Sequence, residues 1–159
     1  KRALVGEVQA LANATTMANP RRAVSGLDQA RVLMVLAVLQ ARMDLKLHER
    51  EIYVATVGGM RVTEPAADLA IALSVASTVR KVVIPHSTVA IGEVGLAGEV
   101  RRVTAVGRRV AEAKRLGFRH AIIPAGSDET LPSGIRVTKV GDLESAIRAA
   151  TLSVVDAPF

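Results

Sequence analysis

The stretch from Leu27 to Val57 constrains the fold most. Leu27 to Met43 carries apolar residues on several faces, the pattern of a mostly buried helix, and Asp28 near its start suits the positive end of the helix dipole. Shortly after it, Glu51 to Val57 (EIYVATV) is a short β-branched run that predicts a central strand, ended by Gly58-Gly59. A long buried helix feeding a buried strand points to an α/β domain, and the rest of the chain keeps this interleaving.

Ala3 to Ala12 reads as a strand, followed by a polar loop through Asn19-Pro20 and a second, hairpin-like strand at 21–25. Pro65 to Val79 has helical composition, with Pro65 tolerated in the first turn. Val82 to Ile84 and Val89 to Val94 read as strand segments, and Glu99 to Val103 as the return arm of a hairpin turning near Gly98. Val106 to Leu116 is an amphipathic helix with Val106, Val110, Ala113 and Leu116 on one face, closed by Gly117 as C-cap. His120 to Ile123 and Ile135 to Val140 are further strands, and Asp142 N-caps a last helix running to about Ala150. Residues 1–150 form one domain, and 151–159 a frayed tail.

Composition excludes several kinds of chemistry. Among 159 residues there is no cysteine, so disulfides, thiolate zinc sites and cysteine nucleophiles are out. The longest apolar run, Val32 to Leu39, is too short to span a bilayer, and no signal peptide precedes Ala3-Leu4-Val5. A cytoplasmic location is expected. A start at Lys1 suggests a domain excised from a longer protein.

Catalytic motifs are missing too. His48, His86 and His120 have no metal-ligand spacing, and structural or surface roles are expected for all three. Ser74 and Ser77 fall inside a helix, where hydroxyls bond the preceding turn. Gly92, Gly95 and Gly98 lack the Lys-Ser or Lys-Thr of a phosphate-binding loop and read as turns. No cofactor or metal site is expected in this domain.

The remaining signal is basic. Net charge is +6, and 16 of the 21 cationic residues are arginine, which favours phosphate or carboxylate partners. Arg101, Arg102, Arg108, Arg109, Lys114, Arg115 and Arg119 are opposed only by Glu112, which shares a helix face with Arg108 and Arg115. Local charge pairing explains part of this cluster, and a solvated helix face is the alternative to a binding surface. With aromatics at 2%, backbone contact with a DNA duplex fits better than base stacking on single strands.

Three segments carry a resemblance. VGGMRVTEPAADLAIALSVAS (57–77), IGEVGLAGEVRRV (91–103) and AEAKRLGFRHAIIP (111–124) resemble the C-terminal domain of the bacterial RadA (Sms) DNA-repair family, and the likeness runs from Val5 to the last helix. That domain is in turn similar to the proteolytic domain of Lon proteases, which implies a ribosomal-protein-S5-domain-2-like α/β fold. Lon enzymes use a Ser–Lys dyad, with the serine in a P-S-A-G motif. Pro65-Ala66-Ala67-Asp68 occupies that motif here, so Ala66 stands at the serine and Asp68 at the glycine. Counting on from Gly92-Glu93 through Gly98 places Gly107 at the lysine. Without an attacking oxygen or a lysine amine the domain is expected not to be an enzyme. Thr63 or Lys114 would need a different geometry to substitute.

The resemblance implies a non-catalytic oligomerisation scaffold with a basic DNA-contacting surface, in a DNA-dependent ATPase that drives branch migration of recombination intermediates during repair of DNA damage. Partners implied are a second copy of the chain in a hexameric ring, duplex DNA and the ATPase domain of the same chain, with no membrane. ATP, Mg and Zn (the last in a zinc-finger motif) are expected only for the full-length hydrolase. The candidate DNA-binding residues are Arg21, Arg22, Arg101, Arg102, Arg108 and Arg109. Alternatives are oligomerisation without DNA contact, or a residual serine peptidase.

Overall fold

The computed structural model describes residues 3–152. The first sheet has the order β1-β3-β2, built from β1 (Val8–Ala14), β2 (Arg22–Ser25) and β3 (Arg50–Thr56). β1 runs antiparallel to β3, with Leu11 opposite Tyr53, whereas β2 runs parallel to it, with Ala23 opposite Tyr53. This corrects the hairpin-like reading of 21–25. β2 is joined to β3 by the crossover helix α1 (Gln29–Met43), and such a connection returns the chain parallel. β3 takes the centre because Ile52 and Val54 are buried against the helices. The first strand also lies further along the chain than 3–12.

Asp28 accepts a hydrogen bond from the Arg31 N–H at 3.1 Å and caps α1. Helix α1 buries Val32, Val35, Leu36, Leu39 and Met43 against α2 (Asp68–Arg80) and the sheet. Ser74 and Ser77 bond carbonyls of their own helix, as expected of hydroxyls there. The hydroxyls of Ser74 and Thr78 also donate to the carbonyls of Val8 and Ala10 on the outer edge of β1. Helix α2 thereby covers a strand edge that would otherwise offer its backbone to another chain.

Val82 to Ile84 form no strand. Lys81 adopts a left-handed conformation (φ 55°), the Val82 N–H returns to the Ser77 carbonyl, and Pro85 lacks a donor, so the segment leaves α2 as an irregular connection with Val83 exposed. The second sheet, β4-β7-β8, is parallel throughout and comprises β4 (Thr88–Ala90), β7 (His120–Pro124) and β8 (Arg136–Val140). A short hairpin of β5 (Glu93–Val94) and β6 (Val100–Arg101) turns at Gly98, where φ is +83°.

Helix α3 (Val106–Arg115) buries Val106, Val110 and Ala113, but Leu116 is exposed, contrary to the helical pattern. The helix stops one residue too early for Leu116 to share its face. The N–H of Gly117 (φ +94°) bonds Lys114, and that of Phe118 bonds Ala113, which closes a Schellman motif. Asp142 caps α4 (Leu143–Leu152) by accepting from the Ser145 N–H at 2.8 Å. That bond holds its carboxyl below the usual carboxylate range. The helix runs two residues past the expected end, and most of the proposed tail lies outside the described residues.

A main core joins α1, α2, α4 and the first sheet, and a smaller cluster packs Ala66, Ile91, Val106, Val110, Ala121 and Ile123. The second cluster positions the site. Among the described residues no helix is long and apolar enough to cross a membrane.

Candidate functional site

The TEPAADLA segment opens with a single 3-10 turn, Pro65–Ala67, before α2 begins. Proline at its first position has no N–H to satisfy and is preset for a helical entry. Two backbone bonds fix this turn to the Gly92-Glu93 segment: Gly92 N–H to the Ala66 carbonyl at 2.9 Å, and Leu69 N–H to the Gly92 carbonyl at 3.0 Å. Fold contacts thus bring together the two motifs that the sequence separates.

Asp68, at the glycine position of the motif, is fully buried. Its carboxylate accepts from Arg31 Nε at 2.9 Å and the Arg31 terminal nitrogen at 2.6 Å, and also from the Val94 N–H at 3.1 Å. The hydrogen bonds to Asp68, followed by its charge, raise the Arg31 pKa above the ordinary guanidinium value despite desolvation. One carboxylate therefore ties α1, α2 and β5 together. Glu93 lies 3.6 Å from the same guanidinium. Sequence reading missed this pair, although an arginine within the apolar pattern of α1 and an acid heading the apolar run of α2 were a usable signal.

Around this turn lies a cleft of about 430 Å³ lined by Glu64, Ala66, Glu93, Arg102, Thr104 and Arg109 among others. Ala66 contributes a buried methyl group to its floor. Thr63 is exposed outside this lining. Lys114 sits toward the end of α3 against Gly134, so neither proposed substitute enters the cleft wall.

Gly107 occupies the first turn of α3, and its surroundings explain the glycine. The Glu129 carboxylate accepts from the Val106 N–H at 3.0 Å and the Gly107 N–H at 3.2 Å, capping the helix from a distant loop. A Cβ on Gly107 would fall 2.6 Å from the Thr130 carbonyl oxygen. Any side chain there, lysine included, requires the 129–130 loop to move. Ala105, the N-cap residue before the helix, has no side-chain cap to offer and adopts a left-handed φ of 59°.

The six candidate arginines fall in two groups. Arg101 ends β6 and is exposed; Arg102 follows it, with its stem lying along Gly126; Arg108 is exposed on α3. Arg109 is half-buried, its Nε donating to the Thr104 carbonyl at 3.0 Å and its terminal nitrogen pairing with Glu64 at 3.0 Å. Arg21 is exposed beside the first sheet. Arg22 turns its guanidinium onto the carbonyls of Leu47 (2.8 Å) and Arg50 (2.5 Å), so it holds the turn before β3 in place. The expected face pairing on α3 takes the form of Arg115 donating to Glu112 at 2.9 and 2.6 Å.

The histidines split as well. His48 is exposed in a 3-10 turn, and His86 lies in the turn after Pro85. His120 is buried on β7, with Nε2 2.8 Å from the Thr138 hydroxyl and Nδ1 3.2 Å from the Arg136 guanidinium. Burial first, and the Arg136 charge second, lower its pKa. Among the described residues no His, Cys, Asp and Glu groups are arranged to hold a metal ion.

Comparison with known proteins agrees with a defined family. The chain is 47% identical to the "DNA repair protein RadA" of Mycolicibacterium smegmatis over 148 residues, which is 93% of this chain and 31% of that protein. The proteins of the same name from Bacillus subtilis and Escherichia coli are 43% and 42% identical, over 94% and 92% of this chain and 33% and 32% of theirs. The chain spans about a third of the length of these curated relatives. A family model described as subunit ChlI of Mg-chelatase matches residues 7–127, and the chain belongs to that family.

Proposed function

We propose that this chain is a Lon-like domain with the S5-domain-2-like fold, kept without its peptidase dyad, from a RadA-type DNA-repair ATPase. It serves as an oligomerisation scaffold, in a ring expected to be hexameric, and offers a basic surface to duplex DNA. The observation that carries the reading is the pair of altered positions: Ala66 is a buried methyl, and Gly107 is closed off by the Thr130 carbonyl and the Glu129 carboxylate. A side chain at 107 has no room, so the cleft is retained as architecture and function moves to the surface. The named relatives support a DNA-repair role, and the exposed arginines at 101, 102 and 108 supply the phosphate-seeking charge.

Arg109, engaged with Glu64, and Arg22, engaged with backbone carbonyls, are the weaker DNA contacts of the six. ATP hydrolysis, Mg, the zinc motif, branch migration and a cytoplasmic location belong to the proposal for the whole protein. The test is titration of a labelled duplex with the wild-type chain and with Arg101→Glu/Arg102→Glu. Weakened binding with an unchanged solution mass supports the reading. Equal binding by both proteins removes the DNA surface and leaves the oligomerisation role, while turnover of an unstructured protein would revive the peptidase.

A further inference from the structure

Among the described residues, helices cover the first sheet on one face only. Val8, Ala10, Ala12, Val24, Ile52 and Val54 point to the core, so their neighbours along the strands form the opposite face. There Leu11, Tyr53 and Ala23 stand in one row across the three strands. In the next row Asn13 is opposite Glu51, and one further step along the β2 register puts Arg21 beside them. Leu11 is 53% exposed, and the Tyr53 hydroxyl donates to Glu51 at 3.2 Å, which fixes the ring in the middle of the sheet.

We propose that this open face, centred on Tyr53, stacks against an exposed base of single-stranded DNA, with Arg21 placed for the neighbouring phosphate. The proposal rests on the reading of the chain as part of a DNA-handling protein, but uses a surface separate from the arginines at 101 and 102. Three features select this occupant. Aromatics are too scarce for extended stacking along a strand, but the chain's one tyrosine sits on the central strand of this face instead of in the core, which suits a single stacked base. Arg21, Asn13 and Glu51 around it supply the charge and hydrogen-bonding groups that a nucleotide engages. A net charge of +6 favours a polyanion.

Size argues against a second copy of the chain. Two strands of seven residues and one of four, about 4.8 Å apart, cover roughly 290 Å². A stable protein interface needs about 800 Å² from each partner. The face suits a few nucleotides better than another subunit.

The chain has one tyrosine and no tryptophan, so its tyrosine emission reports Tyr53 alone. Titration with a single-stranded oligothymidylate is expected to quench that emission saturably. With a labelled strand, Tyr53→Ala should weaken binding about tenfold, whereas Tyr53→Phe, which keeps the ring, should bind nearly as wild type. Duplex affinity should be unchanged by either substitution. Single-strand binding without quenching, equal affinity of Tyr53→Ala and wild type, or no single-strand binding overturns the proposal. So does an emission change with protein concentration alone, which would assign the face to a second copy. Loss of duplex sensitivity to Arg101→Glu/Arg102→Glu, with the Tyr53 effects intact, would remove the arginine surface only.

Discussion

Replacing Arg31 with methionine leaves a carboxylate stranded in the protein interior. The Asp68 side chain is 1% exposed, whereas that of Arg31 is 25% exposed. Without the guanidinium, Asp68 keeps the Val94 N–H and loses two charge-assisted donors. Breaking a buried pair from the cationic side costs about 3–5 kcal/mol. The reverse change, Asp68→Asn, retains an oxygen for Val94 and leaves a cation that reaches solvent and Glu93 at 3.6 Å, so its cost is about 1.5–3 kcal/mol. Urea unfolding of both variants measures these numbers, and Arg31→Met should be the more damaging. If Arg31→Met unfolds within about 1 kcal/mol of wild type, or Asp68→Asn proves the worse, the pair does not bind α1, α2 and β5 as described.

Three further outcomes follow from the site. Glu129→Ala uncaps two N–H groups of α3 and should lower stability by about 1 kcal/mol in the same urea assay. Introducing a serine and a lysine at the two motif positions, by Ala66→Ser with Gly107→Lys, should give no peptidase turnover and a lowered Tm, because the Cβ at 107 meets the Thr130 carbonyl. Burial, and then the Arg136 charge, place the folded pKa of His120 below the ordinary histidine value. The unfolded chain therefore binds the proton first as pH falls below about 6.5, and stability drops from there through the folded pKa. Tm measured across that range should fall less in His120→Gln than in wild type.

Local patterning made most elements legible. The β-branched run at β3, the apolar face of α1, the capping Asp28 and Asp142, and the turn at Gly98 each declare themselves through their own side chains. What the sequence hid depends on distant partners. β2 resembles half of a hairpin until β3 is seen to lie between it and β1. Val82 to Ile84 have strand-forming residues, but the left-handed Lys81 and Pro85 on either side set their path. Leu116 fits the helical period and is exposed because Gly117 ends the helix first.

The candidate site divides in the same way. Ala66 and Gly107 could be named from motif positions, but the reason that Gly107 tolerates no side chain lies in a loop 22 residues further on, at Glu129 and Thr130. Arg22 and Arg101 look alike in the sequence. One has its guanidinium on carbonyls of the protein, and the other stands at an exposed strand end.

The salt dependence of duplex binding tests the proposed role most directly. Each phosphate contact contributes about −0.9 to the slope of log K against log salt on B-DNA. Arg101→Ala/Arg102→Ala should therefore flatten the wild-type slope by about 1.8 and weaken binding to all duplex sequences alike. An unchanged slope, or no duplex binding by the wild-type chain at low salt, would contradict a DNA-contacting surface at these residues.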